Sequence, residues 1–286
     1  MRKPLVSVVI PVYNRARRLS AAVASVLDQT WKNLEIIVVD DGSGDGGADR
    51  IRREFGGRVK ILALPRNRGV SYARNRGFEL SRGAFVAFLD SDDLWRPEKT
   101  ARQVAWMQER PELLISQTDE IWIRNGRRVN PCRHHRKPSG RIFSACLPLC
   151  VVSPSAVMMR RRFFAEVGLF DERLPACEDY DLWLRAACRF PVGLLPEPLV
   201  IKHGGHADQL SRTVPALDRY RIRSLIKLLS GSLLTPSQSV EARAMLERKC
   251  RIYLNGCRKR GRLDEVRRLE LEIERLGIEL SGAGSF

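Results

Sequence analysis

The sequence predicts an α/β fold: a mostly parallel sheet flanked by helices. Apolar runs of strand length recur at 6–10, 34–39, 59–64 and 84–89. They are continuous rather than alternating, as strands buried on both faces require. Between them, apolar residues fall at helical spacing, so strand and helix alternate. Three of the runs also end in polar signals, at Pro11 to Tyr13, Asp40-Asp41 and Asp90 to Asp93. Strands of one parallel sheet point the same way, so these signals share one edge. That edge is where ligands of open α/β sheets collect.

The elements follow in order. The run 6–10 is a buried strand that Pro11 breaks. Leu19, Val23, Val26 and Leu27 then mark a helix. The run 34–39 is a second strand, and Ile51 and Phe55 place a second helix. Residues 59–64 form a short third strand, 71–80 a helix and 84–89 the next strand. A further helix starts near Pro97. Residues 111–150 carry Pro111, Pro131, Pro138 and Pro148 and read as an excursion of short strands and loops. Leu182, Trp183 and Ala186 fall at helical spacing, which puts Glu178, Asp179 and Asp181 at a helix start. From 216 the chain turns helical and charged. Leu263, Val266, Leu269, Leu271, Ile273 and Leu276 line an apolar face there.

A chain of 286 residues can bury a substantial core. Its 44% hydrophobic and 29% charged residues are ordinary for a globular protein. Arg2-Lys3 precedes an apolar run, but the run is short, stops at Pro11 and has no small-residue cleavage site. No run approaches membrane-spanning length. The expectation is a cytosolic protein. The formal charge of +17 favours acidic partners, among them nucleotides, anionic surfaces and nucleic acid. Seven cysteines without a Cys-x-x-Cys pair fit free thiols. Cys132, His134, His135, Cys146 and Cys150 match none of the common structural zinc spacings.

The block Asp90-Ser91-Asp92-Asp93 is the chemical centre of this reading. Carboxylates packed so tightly repel and call for a cation. Oxygen ligands suit a hard divalent ion such as Mg²⁺ or Mn²⁺, which also holds phosphate oxygens. A solvated acidic turn is the competing interpretation. Tyr13 would stack on a base, or else pack against its neighbours. Asp41 would accept from a base or sugar, or else cap a turn. No G-x-G-x-x-G or Walker-type loop follows the first strand. Diphosphate binding would therefore fall to metal and to basic residues such as Arg68 and Arg74.

Four motifs occur in order: Ser7 to Asn14, Val39 to Ser43, Asn67-x-Gly69-x-Ser71-x-Ala73-Arg74-Asn75, and Leu89 to Asp93. Together they resemble the family 2 inverting glycosyltransferases of the GT-A fold, over roughly residues 5–210. The resemblance implies a Rossmann-like sheet, a nucleotide-diphosphosugar donor and a divalent metal, Mn²⁺ or Mg²⁺. By motif position Pro11, Tyr13 and Asp41 frame base and ribose, with Arg74 nearby. Asp90 sits near the ribose, and Asp92 binds metal. The 178–185 segment resembles the family's Glu-Asp signature. That makes Asp179 the general base and Glu178 a supporting contact; the alternative is carboxylates favoured by a helix dipole. His206, followed by Ser211, loosely matches a metal-binding histidine, with His203 or a metal-free role as the alternatives.

The expected division is a transferase domain at 1–215, with a nucleotide half at 1–110 and an acceptor half at 111–215. A helical appendage at 216–286 follows. It would pack on the domain, form a homo-oligomer or touch a membrane surface. The resemblance implies transfer to a saccharide or lipid-linked saccharide in cell-surface polysaccharide synthesis, in the cytoplasm or peripherally at the inner face of the membrane. Two rivals are a sugar-phosphate nucleotidyltransferase and a nucleic-acid-binding protein. Pro-Val-Tyr-Asn stands where the first would carry a glycine- and arginine-rich loop. No aromatic-basic motif supports the second, so no nucleic-acid partner is expected.

Overall fold

A computed structural model describes residues 3–130, 136–206, 209 and 213–278. The first half is built as the alternation predicts. Strand β1 (Val6–Val12) pairs in parallel with β2 (Leu34–Asp40) and β4 (Phe85–Phe88), and β2 pairs with β3 (Lys60–Ala63). Helices α1 (Ala16–Leu27), α2 (Gly47–Phe55) and α3 (Val70–Leu80) make the crossovers. Pro11 does not end β1. β4 pairs only with Val6 to Val9, so beyond Val9 the proline's missing N–H faces no ladder on that side.

The second half departs from a purely parallel sheet. β8 (Val157–Arg160) joins β4 antiparallel and passes the sheet to β6 (Ile115–Arg124). β6 pairs in parallel with β9 (Val192–Gly204), whose outer neighbour is the short β5 (Leu94–Trp95). β7 (Arg127–Val129) folds back on β6. The described strand order is thus β3-β2-β1-β4-β8-β6-β9-β5. The region 111–150 holds a ten-residue strand, longer than its prolines suggested, because the prolines lie outside it.

Two apolar layers cover the sheet. On one face Val6, Val8 and Ile10 meet Leu19, Val23 and Ile51, with Val104 and Met107 from α4 (Lys99–Gln108). On the other, Val9, Ile37 and Phe88 meet α5 (Phe143–Cys146), α6 (Arg162–Val167) and α7 (Glu178–Ala187). The alternation of Val8 and Val9 between faces is the strand period of two. Helices α8 (Asp218–Leu229), α9 (Pro236–Lys259) and α10 (Leu263–Glu274) continue that second layer. Ala242, Leu246, Cys250 and Leu254 of α9 lie in the same apolar cluster as Phe163 and Trp183. Val266, Leu269 and Ile273 are buried as expected, whereas Leu263 and Leu271 are exposed. No described helix is long and apolar enough to cross a membrane.

Candidate active site

The parallel strands β1, β2 and β4 end together, and their following loops are tied to one another. Asn14 takes a positive φ of 51°, and its side-chain oxygen accepts the Gly44 N–H at 2.9 Å. Its own N–H bonds Ser43 Oγ at 2.8 Å. Asp40 forms the turn, accepting the Ser43 N–H at 3.0 Å. Asp41 turns the other way and grips the loop before α3. It accepts the N–H groups of Arg68 and Gly69, one on each oxygen, both at 2.8 Å. Burial raises its carboxyl pKa against the pull of those bonds. Between the two loops a Cβ on Gly42 would stand 2.5 Å from the Arg66 backbone. Tyr13 is 48% exposed beside this cradle, while Pro11 is buried in the strand.

Helix α3 carries the polar residues that join this edge to the second half. Asn75 donates to Phe170 O at 3.0 Å and accepts the Phe170 N–H at 3.1 Å. Arg74, buried and stacked over Phe170 at 5.2 Å, donates to Glu178 Oε1 at 2.6 Å and Asp90 Oδ1 at 2.8 Å. Burial works to raise Asp90, but Arg74, Lys202 and Arg15 outweigh it and hold it below the usual carboxylate range. Glu178 goes the other way, since burial pushes it up to about 7 despite Arg74. Glu178 is therefore an internal partner of Arg74.

The three carboxylates of the acidic block face different ways. Asp93 is internal, accepting from Ser155 Oγ at 2.7 Å and from the His203 N–H at 2.9 Å. Burial and the neighbouring Asp90 and Asp92 push its carboxyl well above the usual range, although Lys202 opposes them. Asp92 faces Arg15 Nη1 and His206 Nε2, each 2.8 Å from Oδ2. His203 instead donates Nδ1–H to Asp92 O at 3.0 Å, a backbone contact. Of the two histidines, His206 is thus the one on the Asp92 carboxylate. Ser211, Cys132, His134 and His135 lie outside the described residues.

The helix-start carboxylates separate cleanly. Asp181 is buried and bonded to Arg185 Nε at 3.0 Å and, from α8, to Lys227. Lys227 also bonds Asp171 at 2.9 Å. Asp179 is only partly buried and lines a cavity of about 160 Å³. Its Oδ1 accepts the Tyr180 N–H at 2.7 Å, and its Oδ2 lies 3.2 Å from Cys150 Sγ. Burial, with Asp179 beside it, pushes that thiol well above its ordinary range. The thiol is therefore protonated, and its single S–H lies between Val152 O at 3.1 Å and the Asp179 carboxylate.

Five residues at this site were not singled out by sequence. Arg15 reaches Asp92, Ser155 braces Asp93, and Glu120, Lys137 and Lys202 share the cavity with Asp179. A lysine within the apolar run before His203 was the available signal for Lys202. Lys137 gave none.

The description "Glycosyl transferase family 2" matches residues 7–168. An uncharacterised glycosyltransferase of Rickettsia conorii is 32% identical over 219 residues, 73% of this chain; the chain spans only 35% of that relative's length. The Bacillus subtilis protein TuaG, a putative teichuronic acid biosynthesis glycosyltransferase, is 43% identical over 64% of this chain and 71% of its own. An Escherichia coli protein, WfgD, described as a UDP-Glc:alpha-D-GlcNAc-diphosphoundecaprenol beta-1,3-glucosyltransferase, is 32% identical over 63% of this chain and 68% of its own. Among solved structures, S. aureus TarS with UDP-GlcNAc superimposes with a TM-score of 0.67 at 19% identity, covering 85% of this chain and 71% of TarS. The mannosyltransferase PcManGT of Pyrobaculum calidifontis, with GDP-Man and Mn²⁺, gives 0.64 at 17% identity, covering 90% and 76%. At such identities the structures speak for the fold.

Proposed function

This chain belongs to the family 2 glycosyltransferases, and on that premise we propose that it is an inverting enzyme moving a sugar from a nucleotide diphosphate to an acceptor hydroxyl. The observation that carries the mechanism is the contrast among the helix-start carboxylates. Glu178 and Asp181 are themselves buried and committed to cations, while Asp179 faces a cavity. Asp179 takes the proton of the attacking hydroxyl, and the Tyr180 N–H holds its Oδ1 in place. Tyr13 offers its ring to the base. Pro11 and Asp41 shape the cradle behind it, Asp41 by fixing the 66–69 loop. Arg74 keeps Asp90 ionised beside the sugar.

The residues at Asp92 fit a divalent ion. A carboxylate and an imidazole nitrogen converge within 2.8 Å of each other, and Mn²⁺ or Mg²⁺ accepts such ligands with phosphate oxygens completing the shell. Among the described residues no group of three or more His, Cys, Asp or Glu side chains converges. When bound, the metal offsets charge on the departing diphosphate. Arg15, on the same oxygen, is placed to follow that charge. PcManGT, which has the same fold, was solved with GDP-Man and Mn²⁺.

The relatives' described roles point toward cell-surface polysaccharide, with a saccharide or lipid-linked saccharide as acceptor. None of the proteins compared above is a nucleotidyltransferase. We read 1–215 as the transferase unit and 216–286 as a helical region packed on it. The setting is cytoplasmic, with peripheral membrane contact or self-association through the helices. Thermal shift against UDP-Glc, UDP-GlcNAc and GDP-Man, with and without Mn²⁺, identifies the donor. Asp179→Asn should then keep donor affinity within a few-fold and lose roughly 10²–10⁴ of transfer. Asp92→Asn should lose Mn²⁺-dependent donor binding. Unchanged transfer in Asp179→Asn would refute the base, and unchanged donor affinity in Asp92→Asn the metal site.

A further inference from the structure

Helix α9 carries a lysine where its packing calls for an apolar residue. Ala242, Leu246, Cys250, Leu254 and Cys257 form the face of α9 turned into the core, and Lys249 sits on that face, only 6% exposed. Burying an ammonium is costly unless it is bonded. Its Nζ donates to Asp218 Oδ1 at 3.2 Å and to the backbone carbonyl of Pro148 at 2.9 Å. Asp218 has a second cation, since Arg221 Nη1 bonds the same oxygen at 3.0 Å. The bond that Lys249 alone supplies, among the described residues, is the one to Pro148 O.

Pro148 lies in the segment between α5 and the turn at Pro154–Ala156. Among the described residues, Pro148 to Val152 take part in no backbone–backbone hydrogen bond. Packing holds part of the segment, because Leu147, Val151 and Val152 are buried. Side chains hold the rest. Tyr180 Oη donates to Leu147 O at 2.7 Å, and Lys249 takes the next carbonyl. Two residues on, Cys150 Sγ stands 3.2 Å from Asp179 Oδ2. Tyr180 is also the residue whose N–H holds Asp179 Oδ1. The contacts close a ring: Asp179 to Tyr180, across to Leu147, along the chain to Cys150, and back to Asp179. Cys150, Val151, Val152 and Ser153 line the same cavity as Asp179. Lys249 ties this ring to the C-terminal helices.

We propose that Lys249 is a positioning residue for the transfer step. Through the Pro148 carbonyl it sets where the 147–153 segment lies against Asp179, and so how the carboxylate meets the attacking hydroxyl. It touches no reacting atom. The helices after residue 216 then contribute to rate as well as covering the core. The proposal rests on Asp179 being the base.

The test uses the full chain and the donor found by thermal shift. The readout is acceptor-free hydrolysis of that donor, with water standing in for the acceptor hydroxyl. Lys249→Met keeps the stem and removes the N–H groups. It should lower kcat by roughly tenfold to a hundredfold, the scale of a small misplacement of a reacting group, while donor KM stays within about twofold. Lys249→Arg, which keeps an N–H in reach of the carbonyl, should recover most of that loss. In an Asp179→Asn background, Lys249→Met should lower kcat by less than about twofold further, because its effect passes through that carboxylate. Arg243→Met is the control. It removes a bond of the same kind from the same helix, to Leu276 O at 2.7 Å, and should leave kcat unchanged. If Lys249→Met does not fold, Lys249→Gln, one atom short of the carbonyl, should show the same split. Unchanged kcat in the variant that folds, a matching rise in donor KM, an equal loss in Arg243→Met or full additivity with Asp179→Asn would overturn the positioning role. Asp179→Asn alone tests the premise: retained rate there removes the base, whatever Lys249 does.

Discussion

Arg74→Met removes one cation from between the buried Glu178 and the partly buried Asp90 and keeps an unbranched, apolar stem against Phe170. In the native protein the guanidinium spans Glu178 at 2.6 Å and Asp90 at 2.8 Å, with both the arginine and Glu178 sealed from solvent. Removing one partner of a buried pair costs about 3–5 kcal/mol, because the other charge stays buried. That is a large part of a typical total of about 5–15 kcal/mol. The loss depends on pH. Glu178 already has a folded pKa raised to about 7, above the 4.5 of an unperturbed glutamate. A raised carboxyl binds its proton more tightly when folded, so its contribution falls as pH rises from 4.5 through the folded value. Without Arg74 that value rises further. The deficit of the variant should be largest above pH 7 and should shrink on acidification, by up to about 1.4 kcal/mol per pH unit for one group. Urea unfolding at pH 5.5, 7.0 and 8.5 measures it. The Arg74→Met/Glu178→Gln double variant should regain more than about 1 kcal/mol, since it removes the stranded charge. A deficit that grows toward acid, or strictly additive single changes, would refute the bridge.

Asp181→Asn should cost about 1–3 kcal/mol, since it weakens the bonds of a buried carboxylate to Arg185 and Lys227 while both cations keep other partners, with transfer preserved below the melting temperature. Transfer lost at unchanged stability would make Asp181 the base. Glu35 takes bonds from Ser7 Oγ at 2.6 Å and Lys60 Nζ at 2.8 Å; although burial raises it, these and the Arg82 N–H pull it down to about 2. Its stabilisation is full above pH 4.5 and is lost as pH falls toward 2, so Glu35→Gln should flatten acid unfolding curves in that window. Gly77→Ala would put a Cβ 2.2 Å from Val9 Cγ1, between α3 and β1. About 1–3 kcal/mol of overpacking should appear as a lowered Tm; an unchanged Tm would show that the helix moves away freely.

The first half was legible because its physics is local. Period and strand ends alone placed β1 to β4, and the polar residues after Val12, Val39 and Leu89 fell on one edge as expected. The second half was less legible because its order is set by distant partners. β8 slots between β4 and β6 across some seventy residues of sequence, and no local pattern encodes its antiparallel direction. The carboxylates show the same limit at finer scale. Composition flagged Glu178, Asp179 and Asp181 equally, but Arg74 and Lys227, far away in the chain, determine which remains open to the cavity. Asp40 and Asp41 divided likewise, one to a turn and one to the neighbouring loop.

The grip of Asp41 on the Arg68 and Gly69 N–H groups bears on how ligands are received. Those amides sit in a loop, where exchange with solvent deuterium is ordinarily fast. Bonded to a buried carboxylate, they should exchange as slowly as amides of the sheet interior. The segment would then already be ordered before a nucleotide arrives. Association would pay little conformational entropy at this wall, and the thermodynamic cost of ordering would fall on the other side of the cleft, around Asp179 and the acceptor.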